Sequence, residues 1–511
     1  MVGPNYKPPS PHVATNWRAP DAPGLRPGSE PATLKAWWTV FADPILTNLV
    51  ETAYRQNPTL LEAGARVFAA RAQRGVAIGA LFPQTQGALG GYSYQLLSTN
   101  AGGPNTLIGS DLRNFGDVTM GLEATWELDV FGRFRRGIEA ADAELLASVA
   151  SYDDVLVSLL ARIASSYVQR RLLERRLAVV DSNLAVQRAS YEIAEQRFRA
   201  GAVTELDVAQ ARTLLRNTEA LRPLVEAGLD QTENDLSVLL GVPPSELTIL
   251  AEGRGNIPVP PAEVAVGIPA ELLRRRPDVR RSERALAAQS AQIGIATSDL
   301  YPRFSLTGVI ELDAENAKDF FEGHSFQGAG GPSVRWAILN YGRIRNNIRV
   351  QDASYQAVVG AYEAAVLRAQ QEVADALAAY LRNRRRVQQL SGAAEAAARA
   401  VDLADVQYRE GAADYLRVLN AQQAKLSQDD ALILTEGQVA IDLVALFRAL
   451  GGGWEIREGR PFLSDEYRTE MARRTNWGDM LREENTTANR DHGGSDVGDD
   501  SHSPSRWWPQ W

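Results

Sequence analysis

Apolar and polar residues alternate strictly along "DVTMGLEATWELDVFGR" (Asp117–Arg133). Val118, Met120, Leu122, Ala124, Trp126, Leu128 and Val130 are apolar. Between them stand Asp117, Thr119, Gly121, Glu123, Thr125, Glu127 and Asp129. A period of two predicts a strand with two unlike faces. The run covers roughly 14 residues, against ~5–6 for an ordinary strand. The same alternation places Ala88, Gly90, Tyr92, Tyr94 and Leu96 on one face, and later Phe304, Leu306, Gly308, Ile310 and Leu312. Polar loops, "STNAGGPNTLIGSD" and "ENAKDFFEGHSF", separate the paired runs. The pattern therefore predicts two long β-hairpins, at about 83–131 and 302–341.

After Gly137 the period changes to 3.6. Ile138–Ala200 contains neither Gly nor Pro, which allows ~95 Å of continuous helix at ~1.5 Å per residue. The matching span, Ile344–Glu410, is broken only by Gly360 and Gly392. Gly201 and Gly411 close these helices as C-terminal glycines do, and new helices follow over Val203–Leu240 and Asp414–Leu450. Two shorter Ala-rich helices, Thr59–Leu81 and Asp278–Leu300, precede the hairpins and stop before Pro83 and Pro302, because proline lacks the amide and clashes with the preceding turn.

These elements occur twice. "WELDVFGRFRR" (Trp126–Arg136) answers "WAILNYGRIRN" (Trp336–Asn346), and "FRAGAVTELDVAQA" (Phe198–Ala211) answers "YREGAADYLRVLNA" (Tyr408–Ala421), both at an offset of 210. Pro58 and Leu81–Pro83 answer Pro277 and Leu300–Pro302 at an offset of 219. The difference falls inside the first hairpin. Constant order and spacing indicate a duplicated architecture with one longer loop, the halves being joined by a Pro-rich linker, Gly241–Val264.

A lone helical hairpin of this composition has no core, so it packs against the other hairpin and against further chains. Four strands are too few to close a barrel, since the smallest closed barrels have about eight. The strands then form half of a soluble sandwich, or they close with strands from other copies. No unused segment supplies the second layer of a sandwich. In a membrane barrel the apolar face meets lipid and the polar face meets a water-filled lumen. Tyr92, Tyr94, Trp126 and Trp336 then fall near the membrane interfaces.

Composition narrows the functions further. The 511 residues carry a formal charge of −9, unlike a nucleic-acid binder with its basic face. There is no cysteine, and none of the four histidines pairs with another at ligand spacing. No run of apolar residues is long enough for a transmembrane helix. The opening "MVGPNYKPPSP" has no basic head or apolar core, so it is not a secretory signal, and the residues after about Arg457 read as a polar, disordered tail ending in "RWWPQW". No nucleophile–base–acid set, phosphate loop or metal-ligand pair is present; "GALGGY" (Gly87–Tyr92) lies within a strand and opens no helix. The reading is of a non-enzyme with no cofactor and no metal site.

With these landmarks placed, the sequence resembles the TolC-type outer membrane factors, in particular the NodT-like lipoprotein branch serving resistance-nodulation-division efflux. The resemblance covers about Val2–Trp454. Its motifs are "VGPNYKPP", "WWTVFADPILTNLVETAYRQNPTL", "LFPQ", "LYPRFSL", "WELDVFGR", "GIPAELLRRRPDV" and "YREGAADYLRVLNAQ". It implies an α+β membrane protein whose four strands per chain build a twelve-stranded trimeric barrel, continuous with a long periplasmic α-helical barrel. The layout is then an N-terminal extended segment near the outer membrane (1–42), a first repeat (43–240), an equatorial linker (241–266), a second repeat (267–452) and a tail (453–511).

The resemblance further implies a passive exit duct for drugs, toxic compounds or metal ions in the outer membrane of a Gram-negative bacterium. Its partners are a periplasmic adaptor and an inner-membrane transporter. A lipid anchor is implied on a Cys that this chain does not show. Export of proteins through a type I system is the rival within the class, and a soluble structural coiled coil is the rival outside it. Arg199, Gly201, Ala202, Arg409, Gly411 and Ala412 match adaptor-contacting tips. Asp207, Leu416, Arg417, Leu419 and Asn420 match the periplasmic gate, where Asp207 beside Arg417 would form closing ion pairs. Arg417 and Asn420 stand where relatives often carry acids. Glu123, Glu127, Asp129, Glu311 and Asp313 are expected to line the pore.

Overall fold

The computed structural model describes residues 1–11, 13–14, 25–27, 34–96, 114–245, 247–252, 255–261, 264–266, 274–316 and 318–482. The first repeat comprises α1 (Pro44–Gln56), α2 (Pro58–Gly79), β2 (Thr85–Leu96), β3 (Asn114–Leu128), α3 (Arg133–Arg199) and α4 (Glu205–Leu239). The second comprises α5 (Pro277–Ser298), β5 (Arg303–Ala314), β6 (Phe326–Arg335), α6 (Arg343–Arg409) and α7 (Tyr415–Ala449). Two short strands outside the repeats, β1 (Leu25–Pro27) and β4 (Val264–Val266), pair in parallel. The four long strands form one antiparallel sheet in the order β2–β3–β5–β6. The loop "STNAGGPNTLIGSD" lies outside the described residues.

Helices α3 and α6 each run 67 residues, about 100 Å at ~1.5 Å per residue. Each starts earlier than its glycine pattern suggests, so Gly137 lies inside α3. Gly132 takes the N-cap at φ +85°. The Asp129 carboxylate then accepts the amides of Phe134 (3.1 Å) and Arg135 (3.0 Å), satisfying first-turn donors that have no intrahelical partner. Gly360 and Gly392 sit within α6 without interrupting it. One glycine costs only ~1 kcal/mol against alanine, little beside the packing of so long a helix. Pro223 is likewise carried inside α4.

The largest core lies where both repeats meet, around Trp37, Leu46, Leu49, Leu160, Tyr167, Tyr380, Leu443 and Phe447. Trp37 stacks on Phe447 with centroids 5.5 Å apart. Buried Arg171 fastens the linker to α3 by donating to the carbonyls of Leu250 (3.0 Å) and Glu252. Two expectations need correction. The segment before residue 43 is not extended throughout, because Trp37–Phe41 is a short 3₁₀ turn with Trp37, Trp38 and Phe41 buried. Nor is the tail irregular from about Arg457. It is folded to Arg482 and includes α8 (Asp465–Arg474). Its apolar anchors, Ile456, Phe462 and Leu463, are scattered among charges and show no periodicity, yet Ile456 and Leu463 are buried.

Candidate pore and gate

Strand register fixes the two faces of the sheet. Val118, Met120, Leu122, Ala124, Trp126 and Leu128 of β3 stand beside Ala314, Leu312, Ile310, Gly308, Leu306 and Phe304 of β5. Tyr92 and Ala88 of β2 share that face through Val118 and Leu122, as do Val334, Pro332 and Phe326 of β6. The apolar face is open: Tyr92, Met120, Leu122, Ile310 and Val334 are all exposed in the chain. Nothing among the described residues covers it. Tyr94 and Trp126 sit near opposite ends of this face. Trp126 is one residue beyond the partner of Thr85, so ten residues of β2 separate the two levels. That is about 33 Å along a strand, or about 25 Å after a tilt of ~40°, the height of the apolar band in membrane barrels.

The opposite face carries Asp117, Glu123, Glu127, Glu311 and Asp313 with Thr119, Thr125, Thr307 and Ser305. Gln327 donates to Glu311 (2.8 Å) and to Asp313 (2.9 Å). Glu127 stands at the base of the sheet, 3.7 Å from Arg133 and 3.9 Å from Arg303. Asp129 departs from the expected lining. Its side chain is only 6% exposed and is paired with Arg135 at 2.9 Å. It lies beyond the end of β3 and caps α3, so period-two counting carried it one step too far.

Trp126 and Trp336 have a role that alternation did not disclose. The Trp126 indole donates to the Leu81 carbonyl (3.1 Å), and the Trp336 indole to the Leu300 carbonyl (3.0 Å). Each therefore ties the base of a strand to the end of the preceding helix, at matching places in the two repeats. Trp336 stands just past β6.

At the far end of the long helices, Gly201 and Gly411 make the reversals at φ +71° and +75°. A left-handed backbone carries little penalty only for glycine. Arg199, Ala202, Arg409 and Ala412 are exposed around these turns. Arg199 is paired with Glu195 (3.2 Å), and Arg409 with Asp405 (3.1 Å).

The expected Asp207–Arg417 pair is not formed within the chain. Asp207 accepts the Thr204 amide at 3.3 Å, closing a capping box at the start of α4. Arg417 and Asn420 are exposed, as is Leu416, while Leu419 packs against a small cluster. That cluster contains Ala194, Val208, Ala211, Ala404, Tyr408, Tyr415 and Val418. Near the tips the two hairpins are instead linked by Arg197, which donates to the Tyr408 carbonyl and stacks 4.6 Å over its ring. Tyr408 meets Tyr415 edge-on at 5.4 Å. Burial pushes both phenols above the usual tyrosine range; Asp207 adds to both shifts and Arg197 opposes that of Tyr408.

The described residues contain no helix long and apolar enough to cross a membrane, and no cluster suited to a metal ion.

Comparison with known proteins agrees with this geometry. The family model "Outer membrane efflux protein" matches residues 49–242 and 268–452. The chain belongs to that family: it is an outer membrane channel, with a helical periplasmic part and a β domain in the membrane. It is 32% identical to Nodulation protein T of Rhizobium leguminosarum bv. trifolii, over 89% of this chain and 94% of that protein. It is also 32% identical to Outer membrane protein OprJ of Pseudomonas aeruginosa, over 90% of this chain and 94% of that one. The solved outer-membrane channel OprN superposes with a TM-score of 0.82 at 34% identity, covering 89% of this chain and 99% of that one. Members of the family are efflux channels, and the fold described here serves as the exit duct of an efflux system.

Proposed function

We propose that three copies of this chain close a twelve-stranded barrel. The duct so formed passively conducts drugs, toxic compounds or metal ions delivered by an inner-membrane transporter of the resistance-nodulation-division type through a periplasmic adaptor. The observation that carries the proposal is the open sheet. β2 and β6 are its edges, yet its outward face is apolar and at the height of a membrane band. An unpaired strand edge in hydrocarbon costs several kcal/mol per backbone group. The edges must therefore pair with one another across copies. Closure then turns the face of Glu123, Glu127, Glu311 and Asp313 inward, where rings of carboxylates favour cations over anions.

The tips support the remaining assignments. Arg199, Gly201, Ala202, Arg409, Gly411 and Ala412 form an exposed end fit for an adaptor. Asp207, Leu416, Arg417, Leu419 and Asn420 surround the narrowing behind it. In the assembled ring, Asp207 of one copy is proposed to meet Arg417 of the next. Single-channel conductance across planar bilayers tests the gate: Asp207→Ala should raise it, and an unchanged value would remove Asp207 from the gate. Export of folded or unfolded proteins stays as the second reading. Deleting the protein and measuring drug and metal sensitivity decides between the two.

A further inference from the structure

In a closed ring of three copies the helical hairpins of the two repeats alternate, so neighbouring hairpins touch both within a copy and between copies. The chain shows the first kind of contact: α3 of the first hairpin packs against α7 of the second. The offset of 210 converts α3 into α6 and α7 into α4. The second kind is therefore α6 of one copy against α4 of the next, and the seam inside the chain is its template.

On their membrane-side halves both long helices are covered within the chain. The C-terminal arm, residues 454–482, lies on α3, with the Phe462 ring edge-on to Tyr152 at 5.0 Å. The N-terminal stretch lies on α6, where Tyr6 packs on the cluster around Tyr362. The difference comes toward the tips. There Leu172 of α3 presses on Gly437 of α7, which has no room for a Cβ, and the Gln422 amide of α7 donates to the Ser190 hydroxyl of α3 at 2.6 Å. All four residues are buried. Their counterparts are Arg382 for Leu172, Ala227 for Gly437, Ala400 for Ser190 and Arg212 for Gln422, and all four are exposed. In each contact of the template a large side chain faces a small one, which lets helix surfaces interdigitate. The counterparts keep that complementarity, Arg382 with Ala227 and Arg212 with Ala400.

Charge points the same way. Within the chain, burial pushes the Glu436 carboxyl of α7 up and Arg175 of α3 pulls it back. The offset turns these two into Glu226 and Arg385, again an acid and a cation. Ala440, buried one turn from Gly437, becomes Asp230, which is exposed. Arg382, Arg385 and Asp230 form no ion pair among the described residues. Glu226 is paired with Arg222 of its own helix at 2.9 Å, a surface pair that contributes little.

We propose that Arg385 and Arg382 on α6 of one copy pair with Glu226 and Asp230 on α4 of the next, and that this charged seam sets the register between copies along the helical barrel. The proposal rests on the three-copy reading. The test uses the absence of cysteine in the natural chain. Arg212→Cys with Ala400→Cys places a thiol on each side of the seam between copies, and Ser190→Cys with Gln422→Cys does the same within the chain. Both full-length proteins are treated with a short bis-maleimide in outer membrane vesicles and run on denaturing gels. Ala227→Cys with Arg382→Cys repeats the measurement while keeping Arg212, which donates to the Tyr191 hydroxyl at 2.9 Å.

The pairs between copies should give covalent dimers and trimers, and the pair within the chain only monomers that have lost both thiols. Arg385→Glu added to Arg212→Cys and Ala400→Cys should reduce the covalent trimer several-fold, and Glu226→Arg added to that variant should restore it. Three-chain particles in native mass spectrometry, with no covalent trimer from either seam pair, would overturn the proposal and leave the three-copy reading intact. Covalent trimer that is indifferent to Arg385→Glu, or is not restored by Glu226→Arg, would overturn the ion pairs. Single-chain particles would overturn the three-copy reading itself, and the proposal with it.

Discussion

Helices α3 and α6 have the same length and the same place in their repeats, yet α3 buries 27 of its residues and α6 only 11. α3 is enclosed by α2, α4, α5, α7 and the C-terminal arm. α6 rests on α5, α7 and the N-terminal stretch, and leaves Val350, Leu367, Leu403 and Val406 exposed. A duplicated sequence has thus been finished inside the chain on one side and left unfinished on the other. One open edge of the sheet, β6, leads into this less buried helix, while the other, β2, belongs to the first repeat. Under the proposed closure both edges pair with another copy.

Charge sharpens the contrast. Asp153 in α3 is fully buried between Arg457 of the arm, which grips it with two donors, and Arg280 of α5. Burial pushes its carboxyl above the usual range while Arg457 and Arg280 pull it back. Its counterpart in α6, Glu363, is exposed. Asp153→Ala would leave the half-buried Arg457 without that partner, and should cost about 3 kcal/mol, the low end for breaking a buried pair. Glu363→Ala should stay within ~0.5 kcal/mol. Denaturant midpoints of the two variants measure this, and equal losses would break the comparison.

The sheet offers the next largest effect. Ile310→Lys on the apolar face should cost about 2–4 kcal/mol of membrane insertion per chain, whereas Thr307→Lys on the lumenal face should be tolerated. The amount of heat-modifiable protein in outer membrane fractions reports both. Similar loss in both variants would mean that the two faces do not meet different solvents.

A smaller difference concerns acid. Asn57 donates to the Leu239 carbonyl (2.8 Å) in the first repeat, and Arg276 donates to the equivalent Ala449 carbonyl (2.7 Å) in the second. Only the second site holds a carboxylate cluster, Asp278 and Glu372, around its cation. Burial pushes the Asp278 carboxyl up, but its hydrogen bonds and ion pair with Arg276 outweigh this and hold it below its ordinary value. A lowered pKa contributes stability that is complete above the unfolded value of ~3.9 and is lost as pH falls through the folded one. Asp278→Asn should flatten the loss of stability below about pH 4. Denaturant midpoints at successive pH values would show it, and an unchanged slope would count against this pair.

The smallest effects belong to the tips. Gly201→Ala and Gly411→Ala should each cost about 1–2 kcal/mol from the left-handed backbone alone, because no atom crowds a Cβ at Gly201 and only Arg197 comes near one at Gly411. Comparable costs at both, read from thermal unfolding, would show that the repeats remain equal at the tips.

Much of this was legible in the sequence because each strand separates two solvents, which stamps period two on residues such as Met120, Glu123 and Ile310. The helices were legible through the lack of Gly and Pro over Ile138–Ala200. What was not legible depends on contacts far apart in the chain. Asp129 continues the alternation but is turned by Gly132 into a helix cap. Asp207 accepts the Thr204 amide in a capping box, a local role that its expected place beside Arg417 did not disclose. Arg197 and Tyr408 carry no local pattern, and meet only because the two hairpins lie side by side. The arm was masked by its own charge, since Phe462, Leu463 and Met480 follow neither period.

The central claim is that the open sheet of one chain is completed by other copies in the membrane. The mass of the detergent-extracted particle, measured by native mass spectrometry, tests this directly. A particle of three 55.8 kDa chains is expected. A folded particle containing a single chain would contradict it.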